Sequence, residues 1–211
     1  MVPPQEAAAG MPNAPLSRQD LARQSPFAWF LMAVLAGTAV WFWVFGARGA
    51  ALGTAASWVG CAALLLPPRE RMAALPRRLR ALPRSCDGAP VFATILSAPG
   101  YGLGWFYGDN LYDEAVHLLN GIVMGLVLAC LILADGRWRG PLALGRACFW
   151  LGLALAIGWE VFEAATGLIG DVEDTLSDIA LTTGGAAAGA VAVGLRGVRP
   201  AVLWPARGDA G

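Results

Sequence analysis

The chain carries a single histidine, His117, four residues after Asp113 in Tyr112-Asp113-Glu114-Ala115-Val116-His117. Two later stretches hold further carboxylates: Trp159-Glu160-Val161-Phe162-Glu163 and Gly170-Asp171-Val172-Glu173-Asp174-Thr175-Leu176-Ser177-Asp178. Carboxylates with one imidazole suit a divalent cation such as Mg²⁺, Mn²⁺, Zn²⁺ or Fe²⁺. They also supply general acids and bases. Ionisable groups are costly inside apolar runs and are usually kept there for a function. The candidate metal ligands are Asp113, His117, Glu160, Glu163, Asp171, Asp174 and Asp178. Asp113, His117, Glu160 and Glu163 are also the candidate catalytic groups.

Helical spacing puts these groups on defined faces. Asp113 and His117 share one face, about 6 Å apart along the axis. That face continues through Gly121 and Gly125, a GxxxG pair that lets helices approach closely, with Asn120 beside it. The polar pair is therefore expected to point into a bundle. Glu160 and Glu163 are three apart, and Asp174 and Asp178 four apart, with Asp171 one turn earlier. The face of Asp178 passes through Thr182 to Gly185 and Gly189, a second GxxxG. Glu114 and Glu173 fall on other faces and read as interface-exposed acids. Six carboxylates around one imidazole cannot all ionise at low dielectric without compensation, so several are protonated or cations fill the site. Helix capping is the simpler account of Asp113, Asp171 and Asp174 taken singly. The gathering of acids from three helices on one side favours a site.

The elements that must position these residues are membrane helices. Of the 211 residues, 57% are hydrophobic and 14% charged, and the mean hydropathy is +0.56. Several apolar runs approach the roughly 20 residues that cross a bilayer. This predicts an all-α polytopic bundle of about six spans: 27–45, 50–66, 91–106, 111–134, 142–165 and 174–195. The third is short and interrupted by Pro99-Gly100. Residues 1–25 read as a disordered tail without a signal peptide, 26–196 as the bundle and 197–211 as a cytoplasmic tail.

Charge orients the bundle. All 15 basic residues are arginines, and six of them lie between Arg69 and Arg84. By the positive-inside rule that loop is cytoplasmic. Six spans then place both termini inside, leave only Arg48 outside, and gather nine of the 15 acids at the outer ends of spans three to six. The arginines lie in short loops, which is a topology signal and excludes a nucleic-acid role. The cysteines, Cys61, Cys86, Cys130 and Cys148, form no CxxC and read as small packing residues.

With these motifs in place, residues 101–189 resemble the YjdF-like family of bacterial membrane proteins. The likeness rests on Tyr112-Asp113 with His117, on Glu160-x-x-Glu163, and on Gly170-Asp171-x-x-Asp174-Thr175-x-x-Asp178. The arrangement is more distantly similar to VanZ-type proteins, which carry a comparable aspartate–histidine pair. The resemblance implies a multi-pass protein of the plasma (inner) membrane and names no reaction. The expected function is a divalent-metal-dependent hydrolase acting on a lipid-linked substrate from the outer leaflet. A cation or proton carrier and a non-catalytic accessory protein are the alternatives. A carrier fits less well, because Met124, Gly125, Val127 and Leu128 below the site are apolar.

Overall fold

The computed structural model describes residues 18–107, 110–166 and 172–197. Among these residues eight α-helices run in chain order: α1 (Arg18–Ala22), α2 (Pro26–Val44), α3 (Arg48–Leu65), α4 (Arg77–Arg80), α5 (Gly88–Gly102), α6 (Tyr112–Leu133), α7 (Pro141–Thr166) and α8 (Val172–Leu195). Among the described residues there is no strand. Helices α2, α6, α7 and the Asp174–Leu195 part of α8 are long and apolar enough to cross a membrane. The second and third expected spans differ. Helix α3 is 18 residues long but rich in Gly, Ala, Ser and Thr, which lowers its hydropathy. Helix α5 has only 15 residues, about 22 Å at 1.5 Å per residue, against a hydrocarbon core of about 30 Å. It runs through Pro99 without breaking and ends at Gly102.

The chain forms two three-helix groups. In the first, Leu31, Met32, Leu35, Cys61, Ala62, Leu65 and Val91 make the core between α2, α3 and α5. The Trp58 indole donates to the Met32 carbonyl at 2.9 Å, which ties α3 to α2. A methyl on Gly102 would lie 2.3 Å from the Phe42 ring, so the end of α5 seats directly on α2. Residues 18–25, expected as tail, carry α1 and a bend with Asp20 and Gln24 buried. The reason is local. Pro67-Pro68 ends the hydrogen-bonded ladder after α3, and the Gln24 amide donates to the Leu65 carbonyl left open there. Residues 1–17 and 198–211, including nearly all of the expected C-terminal tail, lie outside the described residues.

The second group, α6, α7 and α8, is built on glycine. A methyl on Gly121 would sit 2.4 Å from the Thr182 carbonyl oxygen, and one on Gly125 2.1 Å from that of Ala186. In return, methyls on Gly185 and Gly189 would meet the carbonyls of Leu118 and Ile122 at 2.6 and 2.2 Å. Both partners advance by four, so α6 and α8 run parallel with their backbones in contact. Gly152 against Ala186 and Gly145 against Val191 seat α7 antiparallel on the same helix. The far end is closed by Ala129, Leu133, Leu144, Cys148, Ala190 and Val193.

The arginine-rich segment folds at that far end. Buried Asp87 accepts from both Arg69 and Arg84, and Arg84 also reaches Glu70 at 2.6 Å. In the α6–α7 turn Asp135 takes Arg139 at 2.7 Å and Arg78 at 3.1 Å. The hydrogen bond from Arg139 holds the Asp135 carboxyl well below the usual carboxylate range. Gly136, at φ 77, makes the turn that brings Arg139 back. At the other end of the molecule Arg48 stacks over the Trp43 ring at 4.2 Å.

Gly125→Ala is expected to lower stability by about 1–3 kcal/mol, because the clash is with a backbone carbonyl that cannot swing aside. Gly158→Ala, which meets open space, serves as the neutral control. Reversible unfolding in mixed micelles measures both.

Candidate metal centre

Asp113 lies in the first turn of α6 and His117 one turn on, while Asp178 lies in the second turn of α8. Because α6 and α8 are parallel and in contact, these turns are neighbours. His117 Nε2 is 3.5 Å from Asp113 Oδ1 and 3.6 Å from Asp178 Oδ2. One ligand atom from each of the three residues lies within 4.8 Å of the others. The side chains are 22%, 15% and 4% exposed for Asp113, His117 and Asp178, so the group opens on the Asp113 side and is closed beneath Asp178.

The second imidazole nitrogen decides what the first can do. His117 Nδ1 is 3.2 Å from Thr182 Oγ1, and the Thr182 hydroxyl donates to the His117 carbonyl at 3.5 Å. Nε2, the other ring nitrogen, faces the two carboxylates, and at 3.5–3.6 Å neither contact is a hydrogen bond. A divalent cation with bonds of about 2.0–2.2 Å holds neighbouring ligand atoms about 3.0–3.6 Å apart, so the spacing fits one shared ion. A ring fixed by a bond to its other nitrogen is the usual support of a histidine ligand.

The remaining expected ligands surround this group. Glu160 of α7 is buried at 6% exposure and lies beside Thr175 of α8. Glu163, half-buried, lies against Tyr101 of α5 and near Trp159. Asp174 is half-buried in the first turn of α8. Asp178 feels the charges of Asp113, Asp174, Glu160 and Glu163, so five acids from three helices gather at this end of the bundle. Only Asp113, His117 and Asp178 have ligand atoms close enough for a common ion among the described residues. Asp171 lies outside the described residues. Glu114, expected to face away, is half-buried and acts electrostatically on Asp113 and His117.

Thr182 and Tyr101 were not among the expected site residues. The signal for Thr182 was present, since it follows Asp178 by one helical turn. Tyr101 carried none, because it reaches the acids from a helix remote in sequence. Aromatic rings pack around the mouth: Tyr101 on Phe106 at 4.8 Å, Trp105 on Tyr112 at 5.0 Å, and Trp159 on Phe162 at 5.3 Å. The Tyr112 hydroxyl donates to the Leu96 carbonyl, which anchors the start of α6 to α5.

Thr182→Val is expected to weaken divalent-ion binding about 10–100-fold while leaving the fold intact, because the imidazole loses its orienting acceptor. Thr183→Val is the control, since the buried Thr183 hydroxyl has no hydrogen-bond partner in the described structure. Mn²⁺ titration of the purified protein distinguishes them.

No family model matches the chain, and neither a curated protein nor a solved structure matches it, so the geometry of the site itself carries the functional conclusion.

Proposed function

We propose that the chain is a multi-pass protein of the plasma membrane that binds a divalent cation at Asp113, His117 and Asp178 and hydrolyses a lipid-linked substrate. One observation supports this reading: a histidine in contact with Thr182 sets Nε2 3.5 and 3.6 Å from the carboxylates of Asp113 and Asp178. The proposed topology has six crossings. Helices α3 and α5, weak spans alone, cross with the help of their packing on α2. The arginine-bearing end faces the cytoplasm, both termini lie there, and the acid layer opens outward. The likeness of the site motifs to YjdF-like and VanZ-type proteins belongs to the same proposal.

The bound ion would supply Lewis acidity and an acidified water at neutral pH. The chain's own groups do the rest. Glu160 and Glu163, outside the triad, are placed to take or return a proton in the pocket. The half-exposed Tyr101, Trp105 and Trp159 at the mouth offer an amphipathic rim for a lipid substrate entering from the interface. The carrier alternative is disfavoured by the floor of the site. Directly beneath His117, Gly121 and Gly125 bring the backbones of α6 and α8 together, which closes the space between those two helices.

Elemental analysis of protein purified without chelator tests the reading. Stoichiometric divalent metal is expected in the wild type, with loss in both His117→Ala and Asp178→Asn. A metal-free wild type whose variants match it in stability would overturn the site. Ion flux in proteoliposomes without hydrolysis of polyprenyl-linked phosphate would move the assignment to a carrier.

A further inference from the structure

The arginine-bearing end of the bundle carries more positive charge than its own acids neutralise. Residues 18–24 and 66–87 hold eight arginines against three acids, Asp20, Glu70 and Asp87. Arg69 and Arg84 close on Asp87, and Arg84 also takes Glu70 at 2.6 Å. Arg80, half-buried at the end of α4, pairs with no acid among the described residues. Arg69 donates at 2.6 Å to the Leu82 carbonyl, two residues beyond Arg80, which puts Arg69, Arg80 and Arg84 in one patch.

A charge that only sets topology can leave its donors in water. Here the Nε atoms of Arg69, Arg80 and Arg84 are buried and without a hydrogen-bond acceptor. Gln24 repeats the pattern at 6% exposure. Its amide nitrogen donates to the Leu65 carbonyl, while its Oε1 is buried with no partner. Buried polar atoms left unpaired are costly, so each of them points to a missing partner. Arg84 Nη1 reaches the same Leu65 carbonyl at 3.4 Å, so Gln24 and the arginine patch converge on one atom.

An apolar groove begins there. Gln24, Ala28 and Met32 line one side, Ala62, Leu65 and Leu66 the other, and Trp29 forms a further wall. The lining runs from Gln24 and Leu66 inward to Met32 and Ala62, away from the arginines. Phe27, Trp29 and Phe30 beside it are exposed, as aromatic residues are where a helix enters lipid. Positive donors at the outer end and apolar walls further in match a phospholipid, whose phosphate oxygens accept and whose chain runs along the helices. The excess of positive charge selects an anionic one.

We infer that the groove between α2 and α3 binds one acyl chain of an anionic glycerophospholipid, with the phosphate on Arg69, Arg80 and Arg84 and a headgroup hydroxyl donating to Gln24. This site is independent of the metal centre, which lies at the opposite end of the bundle.

Native mass spectrometry of the intact protein in detergent tests this, with equal amounts of phosphatidylglycerol and phosphatidylcholine of the same chain length. The wild type is expected to retain one phosphatidylglycerol in preference to phosphatidylcholine. Arg80→Gln is expected to weaken that binding about 5-fold. Arg48→Gln, the same charge change at the other end, is expected to leave it unaltered. Equal uptake of the two lipids by the wild type overturns the site, and so does equal weakening in both variants. Excess glycerol phosphate is expected not to displace the lipid. Displacement would assign the arginines to a free phosphate and overturn the role of the groove. If Arg80→Gln fails to fold, a potassium chloride titration of the wild type takes its place. The phosphatidylglycerol adduct is expected to fall as salt rises, and an adduct insensitive to salt overturns the phosphate contact.

Discussion

The backbone contact between α6 and α8 is the constraint on which the rest depends. Four glycines, Gly121, Gly125, Gly185 and Gly189, let two parallel helices touch main chain to main chain. Within lipid no hydrophobic force draws helices together, so close packing and polar contacts must do it. The contact begins one turn beyond His117 and Asp178. It therefore sets the distance between the imidazole and a carboxylate on another helix, and it closes the pocket from below. Larger residues at these four positions would push α8 outward and separate the ligand atoms.

Helix α7 completes the arrangement by a second use of the same chemistry. Gly145 and Gly152 seat it on α8, and its C-terminal turns then carry Glu160 and Glu163 over the pocket. The placement works against the helix dipole, which disfavours acids at that end. Residues kept at a cost to local stability are the ones whose role lies in the site. Asp113 and Asp174 face no such cost, since each lies in the first turn of its helix, and their presence alone would have meant little.

The two ends of the molecule divide the charge. At one end, arginines are paired off with Asp87, Glu70 and Asp135. At the other, Asp113 and Asp178 flank the histidine, and Asp174, Glu160 and Glu163 act electrostatically on Asp178. Paired charges at a helix end are scaffolding: Arg139 finds Asp135 within a turn, and Arg78 reaches the same carboxylate from 57 residues away. The acids have one another among their neighbours, which raises the cost of ionising all of them together.

Composition and apolar run length were enough to establish helices α2, α6, α7 and α8, because burial in lipid demands long uninterrupted apolar segments. Helical spacing was enough to put Asp113 with His117, Asp174 with Asp178, and the glycines one turn beyond, because period 3.6 is a local property. Helices α3 and α5 were less legible as spans, since small residues and a short length dilute the apolar signal. Which of seven candidate ligands lie close enough to share an ion, that Thr182 contacts the imidazole, and that Tyr101 lies against Glu163 were decided by tertiary structure. The physical reason is that distances between side chains on different helices depend on how closely the backbones approach, and a sequence read one helix at a time carries no such distance.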